Sequence, residues 1–309
     1  MTATLARDRV EAALARADAA AARHVFTLRL DQAARDCADA ADRVRGALPA
    51  SPFLGVPVTI KDNFDLAGHA TTAGSKLLAD APAAAADAAV VERLRRAGLI
   101  ILGRTNMTEF AFSGLGLNPH YGTPANPAFP GEQRIPGGSS SGAAVSVALD
   151  IAPFAVGTDT GGSIRIPAAL CGLVGFKPTA AAISTRGVLP LSPTLDAVGV
   201  LARTVADCAA LFDVIRDLPG PVRIAPPPAR IRLGLVTNYV TGQLSPEVEA
   251  GLSGAVERLR AGGVAVEPVA IAELDRIPEM LSEGSFAGAE AHAWHGPLLA
   301  AGRQPDYDP

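Results

Sequence analysis

Several kinds of residue are scarce in this chain of 309 residues, and each scarcity narrows the class of protein. Aromatic residues make up only 5% of the sequence, so the core has to be built by close packing of small and aliphatic side chains. The three cysteines, Cys37, Cys171 and Cys208, form no C-x-x-C pair. An odd, widely spaced set is typical of a reducing compartment rather than of a disulfide scaffold, and we expect a cytoplasmic protein.

Long hydrophobic runs and an excess of positive charge are also missing. The longest apolar span, 143–157, contains Asp150 and Pro153 and is too short to cross a bilayer. The N-terminus carries scattered charges and lacks the apolar region of a secretory signal. The formal net charge is −4, which argues against a direct nucleic-acid partner and against binding to an anionic membrane.

Lysine is the scarcest of the common charged residues. Of 27 basic residues only three are lysine, namely Lys61, Lys76 and Lys177. Arginine does not give up its proton in proteins, whereas a buried lysine can. A lysine in this chain is therefore a candidate for amine chemistry, although Lys76 is expected to be solvated and Lys177 to be structural.

The remaining composition predicts a folded α/β protein, because 49% of the residues are hydrophobic and 19% are charged. Amphipathic helices are predicted over 2–22 and 30–47, a strand over 55–63, a helix capped by Asp87 and ending at Arg96, and strands over 100–103 and 151–157. The segment 105–136 is read as a long loop, which is typical of a functional region.

The last third of the chain has its own pattern. A helix over 204–216 is followed by a proline-rich connector, 219–228, which is the expected subdomain boundary. Strands are predicted over 231–236 and 264–269, with a helix between them that begins at Ser245-Pro246-Glu247 and ends at Gly262-Gly263. Residues 272–301 are read as helix.

Two Gly-Gly-Ser units lie within the stretch 137–167. Their serines, Ser139 and Ser163, are 24 residues apart. The second unit follows the predicted strand 151–157, where paired glycines leave backbone amides uncovered and open to a carbonyl oxygen.

The sequence resembles the amidase signature family of serine hydrolases from about residue 55 to 204. Five pieces carry the resemblance in order: IKDN, TTAGS, GRTNMTEFA, GGSSSG to GTDTGGSIRIPAALCGLVGFKPT, and GVLPLSPTLDAVG. The resemblance implies an α/β fold with a mixed sheet between helical layers. It also implies one amidase-like domain over 1–309, with a helical layer over 1–50, a signature core over 55–205 and a C-terminal part beginning at 229.

The same resemblance implies a catalytic triad of Ser163 as nucleophile, Ser139 as proton shuttle after a cis peptide, and Lys61 as the base. The pKa of a lysine amine is ordinarily near 10.4. It must be lowered for the amine to act as a base at neutral pH, and burial lowers it. By position in the motif, the amides of Thr160, Gly161, Gly162 and Ser163 would form the oxyanion hole.

Further roles are expected around this triad. Asp159 and Arg165 are expected to form a supporting ion pair. Ser140 and Ser141 are expected to cap the helix that follows them, with Ser140 close to the triad. An acyl pocket lined by Phe110, Phe112 and Tyr121 would take an aromatic or aliphatic amide.

The sequence also contains a candidate nucleophile elbow and a pair of closely spaced histidines. Residues 138–142 also match G-x-S-x-G, the nucleophile elbow of α/β-hydrolases, with Ser140 as nucleophile, but that motif needs a strand leading directly into the turn and a later Asp and His. His292 and His295 have a spacing that could bind a metal, without a supporting carboxylate pattern. We expect no metal and no cofactor.

The resulting hypothesis is an amidase acting on a small-molecule amide, with a homodimer as one option for its assembly. One alternative is the glutamine-amidase subunit of a tRNA-dependent amidotransferase, whose tRNA surface would belong to partner subunits. The other is an inactive, C-terminally truncated module, because members of the resembled family are usually longer. If the chain ends inside a domain, exposed apolar surface is expected.

Overall fold

The computed structural model describes residues 4–46, 51–217 and 227–308, and a six-stranded mixed sheet is its central element. The strands are β1 (Phe26–Arg29), β2 (Pro57–Lys61), β3 (Ile100–Thr105), β4 (Phe154–Asp159), β5 (Val174–Phe176) and β6 (Ala197–Ala202). The sheet has the order β1-β3-β2-β4-β6-β5. Strand β2 is parallel to β3 and β4, and the other neighbouring pairs are antiparallel.

Helices cover both faces of this sheet. They are α1 (Ala6–Ala17), α2 (Asp31–Val44), α3 (Ala89–Arg96), α4 (Ser141–Ala148), α5 (Arg165–Leu170) and α6 (Val205–Ile215). Helices α1, α2, α4 and α5 contribute to one apolar cluster, and α3 and α6 to another. Because side chains alternate along a strand, Ile100 and Leu102 join the first cluster and Ile101 joins the second. The predicted mixed sheet between helical layers is confirmed.

Some element boundaries differ from the sequence prediction for identifiable reasons. The apolar run that begins at Ile151 becomes a strand only from Phe154, because Pro153 cannot donate to a sheet ladder. Helix α1 ends at Ala17 and is followed by a 3₁₀ turn, Ala20–Ala22. Strands β1, β5 and β6 are absent from the prediction. Strand β1 has only four residues, all half-buried, and its extended conformation is stabilised by pairing with β3.

The predicted cap at Asp87 is wrong. Helix α3 begins at Ala89, and its N-cap position is Ala88, which makes no side-chain cap hydrogen bond. Asp87 instead accepts a hydrogen bond from the amide of Ala67 at 2.9 Å and pairs with Arg95 at 2.8 Å. The carboxylate therefore fastens the preceding loop to the helix.

The chain divides into two compact units, one formed by Met1–Gly220 with Glu290–Pro309 and the other by Pro221–Ala289. The single domain over 1–309 stays a prediction. The connector 219–228 lies outside the described residues except for its last two positions.

The second unit contains β7 (Arg232–Val236), α7 (Pro246–Ala261) and β8 (Ala265–Val269), with the two strands parallel. Ser245 accepts a hydrogen bond from the amide of Val248 and caps α7, as predicted. The predicted helix over 272–301 is divided into a 3₁₀ turn, Ala272–Arg276, then α8 (Ile277–Met280) and α9 (Phe286–Ala300). In this unit Met280 is 66% and Phe286 58% exposed.

Across the described residues, none of the helices combines the length and the apolar character that a bilayer span requires.

Candidate active site

Lys61 is the last residue of β2 and is completely buried. Its Nζ donates hydrogen bonds to Ser139 Oγ at 2.7 Å and to Thr158 Oγ1 at 2.8 Å. Asn63 Nδ2 donates to the same threonine oxygen at 3.1 Å. The side chain of the only buried lysine among the described residues is thus directed at one of the two predicted serines.

Burial determines the protonation behaviour of this amine. Removal from water lowers the pKa of Lys61 from 10.5 to about 7, although the negative charges of Asp196 and Asp159 act in the opposite direction. A neutral amine is therefore well populated at neutral pH. This is the condition that a lysine base has to meet.

Ser139 lies in the first Gly-Gly-Ser turn, immediately before α4. The Gly138–Ser139 peptide is cis, as the family resemblance implies. The amide of Gly138 donates to the carbonyl of Gly114 at 2.8 Å, and the Ser139 carbonyl accepts from the amide of Thr108 at 3.2 Å. The turn is consequently held by the 105–136 segment on both sides of the serine.

Ser163 lies in the second turn, between β4 and α5, and is 7% exposed. Its carbonyl accepts a hydrogen bond from the amide of Ser140 at 3.1 Å. This bond joins the segment after the first Gly-Gly-Ser unit to the second unit. The structure therefore brings the predicted residues Lys61, Ser139 and Ser163 to one place.

A buried carboxylate frames the second turn. Asp159 accepts hydrogen bonds from the amides of Gly162 at 2.8 Å and Ile164 at 3.1 Å, and it pairs with Arg165 at 2.9 Å. Burial alone would raise the pKa of Asp159, but the bonds from Arg165 and the backbone amides outweigh it and hold the pKa below its usual value. The predicted ion pair between Asp159 and Arg165 is present.

The predicted oxyanion amides are not equivalent. The amide of Gly162 already donates to Asp159, so its assignment to the oxyanion hole requires correction. In the described chain, no protein acceptor is found for the amides of Thr160, Gly161 and Ser163. Gly161 is exposed, with no atom within 4 Å of a Cβ built on it, which leaves room for a carbonyl group.

The alternative nucleophile Ser140 has a different environment. It is completely buried, and its Oγ donates to the carbonyl of Thr158 at 3.3 Å. The described residues 126–140 contain no strand, so the strand-turn-helix of a nucleophile elbow is not formed. The expected capping of α4 by side chains is also wrong, because Ser140 makes no cap bond and Ser141 Oγ donates to the carbonyl of Asn106.

Three polar residues near the site were missed from the sequence. Thr158 contacts Lys61, and Asn63 contacts Thr158. Asp196 accepts a hydrogen bond of 2.5 Å from Thr160 Oγ1. All three lie inside the motifs IKDN, GTDTGGS and TLDAVG, and their position there was the available signal.

The residue after the lysine is held by a second buried pair. Asp62 Oδ1 lies 3.1 Å from Arg104 Nε, and Oδ2 accepts from the amide of Gly74 at 2.9 Å and from the Thr72 hydroxyl. Burial raises the pKa of Asp62. The TTAGS loop is therefore attached to the end of β2.

The structure separates the three residues expected to line an acyl pocket. Phe110 is 4% exposed and is enclosed by the rings of Trp294, His295 and Tyr307 at 4.5–5.7 Å between centroids. It is therefore no open pocket wall, and this part of the prediction is wrong. Phe112 is 58% exposed, and Tyr121 is partly buried.

The remaining candidate residues lie in other surroundings. His295 Nδ1 and Tyr307 Oη share a hydrogen bond of 2.7 Å, whereas His292 is exposed. No group of three His, Cys, Asp or Glu side chains that could hold a metal occurs in residues 4–46, 51–217 and 227–308. Lys76 is exposed, and Lys177 donates to the carbonyl of Pro178 at 2.8 Å.

Two cavities of the described chain lie away from the site. A cavity of about 700 Å³ is lined by residues that include Arg9, Phe53 and Phe154. Another of about 950 Å³ is lined by residues that include His24 and Phe129. The predicted triad residues line neither of them.

Fold and site together define a class of α/β proteins in which a buried lysine on a mixed sheet contacts a serine beside a second serine turn. The family model described as "Amidase" matches residues 8–296. The chain belongs to the amidase family.

Individual relatives are similar over most of this chain. A 2-amino-5-chloromuconic acid deaminase of Comamonas testosteroni is 40% identical over 79% of this chain and 53% of its own length. A glutamyl-tRNA(Gln) amidotransferase subunit of Chromohalobacter salexigens is 41% identical over 78% of this chain and 51% of its own length. A crystal structure of an amidase superposes with a TM-score of 0.88 at 35% identity, covering 99% of this chain and 68% of that one. The chain spans about half the length of the curated relatives it matches.

Proposed function

We propose that this chain is an amidase that hydrolyses a carboxylic amide to a carboxylate and ammonia or an amine, through an acyl-enzyme on Ser163. One observation carries the proposal: the buried amine of Lys61, with its pKa lowered to about 7, lies 2.7 Å from Ser139 Oγ. An activated serine needs a base within hydrogen-bond reach. The family membership of the chain supports the same chemistry.

In the proposed acylation step, neutral Lys61 accepts the proton of the Ser139 hydroxyl. Ser139 Oγ in turn takes the proton of Ser163, whose Oγ attacks the amide carbonyl carbon. The C–N bond breaks when the proton returns through Ser139 to the leaving nitrogen, which departs as ammonia or an amine. Lys61 is neutral again, and the acyl group is an ester of Ser163.

Deacylation repeats the sequence with water in place of Ser163. Water loses one proton to Ser139 and attacks the ester carbonyl carbon. The bond from that carbon to Ser163 Oγ breaks as the proton returns through Ser139 to this oxygen, which releases the carboxylic acid and the free serine. In both steps the developing oxyanion would be stabilised by the free amides of Gly161 and Ser163, with Thr160 beside them. We assign Gly162 to fixing the turn, because its amide is engaged by Asp159.

Apolar surface borders the second turn and indicates the acyl side of the substrate. A Cβ built on Gly162 would meet Ile166 Cδ1 at 2.7 Å, and one built on Gly114 would lie 3.1 Å from the same atom. Ile166 is 37% exposed, and Leu115 and Phe112 are more than half exposed. We propose that this surface, with Tyr121, receives an aromatic or aliphatic acyl group.

A second candidate function uses the same chemistry in a complex. The similarity to a glutamyl-tRNA(Gln) amidotransferase subunit favours an ammonia-releasing component that acts on glutamine with partner subunits. Hydrolysis of simple amides by the isolated chain would count against it, and co-purification with partner subunits would support it. The third candidate, an inactive module, predicts that no serine becomes acylated.

Trapping with a fluorophosphonate followed by mass mapping tests the proposal. We expect the label on Ser163, with a rate that rises as the pH passes through about 7. The variants Ser163→Ala and Ser140→Ala are matched controls, of which only the first should lose the label. Label on Ser140 would restore the elbow hypothesis, and a folded but unlabelled protein would support the inactive module.

A further inference from the structure

Asp196 is a buried carboxylate that lies directly before β6, with 9% of its surface exposed. Oδ1 accepts hydrogen bonds from Thr160 Oγ1 at 2.5 Å and from the amide of Ser192 at 3.2 Å. Oδ2 accepts from the amides of Leu191 at 3.0 Å and Ser192 at 3.2 Å. The carboxylate thus binds the backbone amides of its own loop and also accepts one hydrogen bond from Thr160, outside that loop.

Thr160 begins the turn that carries Ser163. It follows β4, whereas Asp196 precedes β6. The antiparallel register of β4 and β6 pairs Asp159 with Ala197, which sets the preceding Asp196 opposite Thr160. Asp159 holds the far side of the same turn through the amides of Gly162 and Ile164. Two carboxylates therefore hold the turn, one from each strand.

The same two carboxylates are the charges that act on the amine of Lys61. Both favour its protonated form and oppose the effect of burial. The other charged groups beside it are Asp62 and Arg104, which pair with each other. Asp196 consequently acts on Lys61 through its negative charge, and it is joined to the turn that carries Ser163 by the hydrogen bond from Thr160.

We propose that Asp196 is a positioning residue for the acylation of Ser163: it fixes the amides of the Thr160–Ser163 turn through the Thr160 hydroxyl and sets the charge environment of Lys61. The inference rests on the proposed function. It adds to it a residue that touches neither the substrate nor the reacting atoms. A merely structural carboxylate would affect folding and rate, but it would leave the pH dependence unchanged.

The test measures the second-order rate of fluorophosphonate acylation against pH in wild type, Asp196→Asn and Thr160→Val. Asp196→Asn should slow acylation by about 10- to 100-fold on the alkaline plateau, because the amide has one acceptor oxygen where the carboxylate has two, so the Thr160 hydroxyl and the loop amides compete for it. Its acid limb should move to lower pH by about half a unit or more, because a charge that favours protonated Lys61 is removed. Thr160→Val should slow acylation similarly with the limb at its wild-type position.

Conservative replacement separates positioning from packing. Thr160→Ser keeps the hydroxyl and should restore a rate within about threefold of wild type, whereas Thr160→Val should not. Equal rates for the two Thr160 variants, or an unshifted acid limb in folded Asp196→Asn, would overturn the inference. Should Asp196→Asn fail to fold, the Thr160 pair decides. Wild-type protein that is unlabelled at every pH would instead overturn the proposed function and this inference with it.

Discussion

The two Gly-Gly-Ser turns have the same three residues and opposite surroundings. In the first, a Cβ on Gly138 would lie 2.6 Å from the amide nitrogen of Gly116, and Ser139 is completely buried. In the second, a Cβ on Gly161 would meet nothing within 4 Å, and Ser163 retains some exposure. One turn is packed into the core, and the other is open at its first glycine.

These surroundings are consistent with two different proposed roles for the same Gly-Gly-Ser unit. Ser139 contacts the lysine but has no access to solvent, which suits a proton relay. Ser163 lies on a turn framed by Asp159, with open space at Gly161 two residues before it, which suits the proposed nucleophile. The proposed roles rest on the surroundings, because the two turns share the same Gly-Gly-Ser triplet.

The largest expected effect comes from exchanging each serine for alanine. Ser163→Ala should lower kcat/KM for a hydrolysed amide by about 10⁴-fold or more, since the nucleophile is lost. Ser139→Ala should lower it by about 10²–10⁴-fold, the usual range for a proton-transfer group. The proposed assignment of roles to the two turns would be contradicted if Ser139→Ala lowered kcat/KM more than Ser163→Ala. An acyl-enzyme of Ser163→Ala detectable by mass would contradict it as well.

Lys61→Met tests the base and has a defined pH signature. Activity should fall by about 10²–10⁴-fold. Between pH 7 and the ordinary pKa of 10.5 the unfolded lysine binds a proton that the folded one lacks, so wild-type stability decreases as the pH falls through this window. The variant lacks that dependence, so its Tm relative to wild type should rise as the pH is lowered from about 10 to about 6. A constant Tm difference would show that the pKa is not lowered.

Alanine substitutions at Gly138 and Gly161 compare the two turns directly. Gly138→Ala would force a Cβ against backbone, and we expect a destabilisation of about 1–3 kcal/mol or more in chemical denaturation. Gly161→Ala meets no atom within 4 Å, so its stability should stay within about 0.5 kcal/mol of wild type. Its kcat/KM should nevertheless fall, since the added methyl occupies the approach to the nucleophile. Equal destabilisation of both variants would show that the two turns do not differ in packing.

The smallest effect is expected at the ion pair of the second turn. Arg165 is 52% exposed at its side chain, so solvent screens its attraction to Asp159. Arg165→Gln leaves the backbone amides on Asp159 in place and should lower kcat/KM less than about tenfold. Asp159→Asn is the matched control with a larger loss, because it also weakens the bonds to Gly162 and Ile164. A larger loss in Arg165→Gln would mean that the guanidinium itself holds the turn.

Much of the fold could be predicted from local patterns, and the failures share a physical cause. The cap of α7 at Ser245 and the helix α6 follow from residues close in sequence, and both are confirmed. Strand β1 depends on pairing with β3, and Phe110 is enclosed by aromatic residues from the last twenty positions. Contacts between residues so distant in sequence leave no periodic signal.

The residues available for chemistry are visible in the sequence: two serines on glycine turns, a lysine at a strand end, and the motifs that point to the family. The fold adds that the lysine amine is buried against Ser139, that the amide of Gly162 donates to Asp159, and that Asp196 accepts from Thr160 across neighbouring strands. These contacts could not be predicted, because burial and hydrogen-bond partners depend on which strands lie side by side. The two Gly-Gly-Ser units therefore acquire their different surroundings once the sheet has formed.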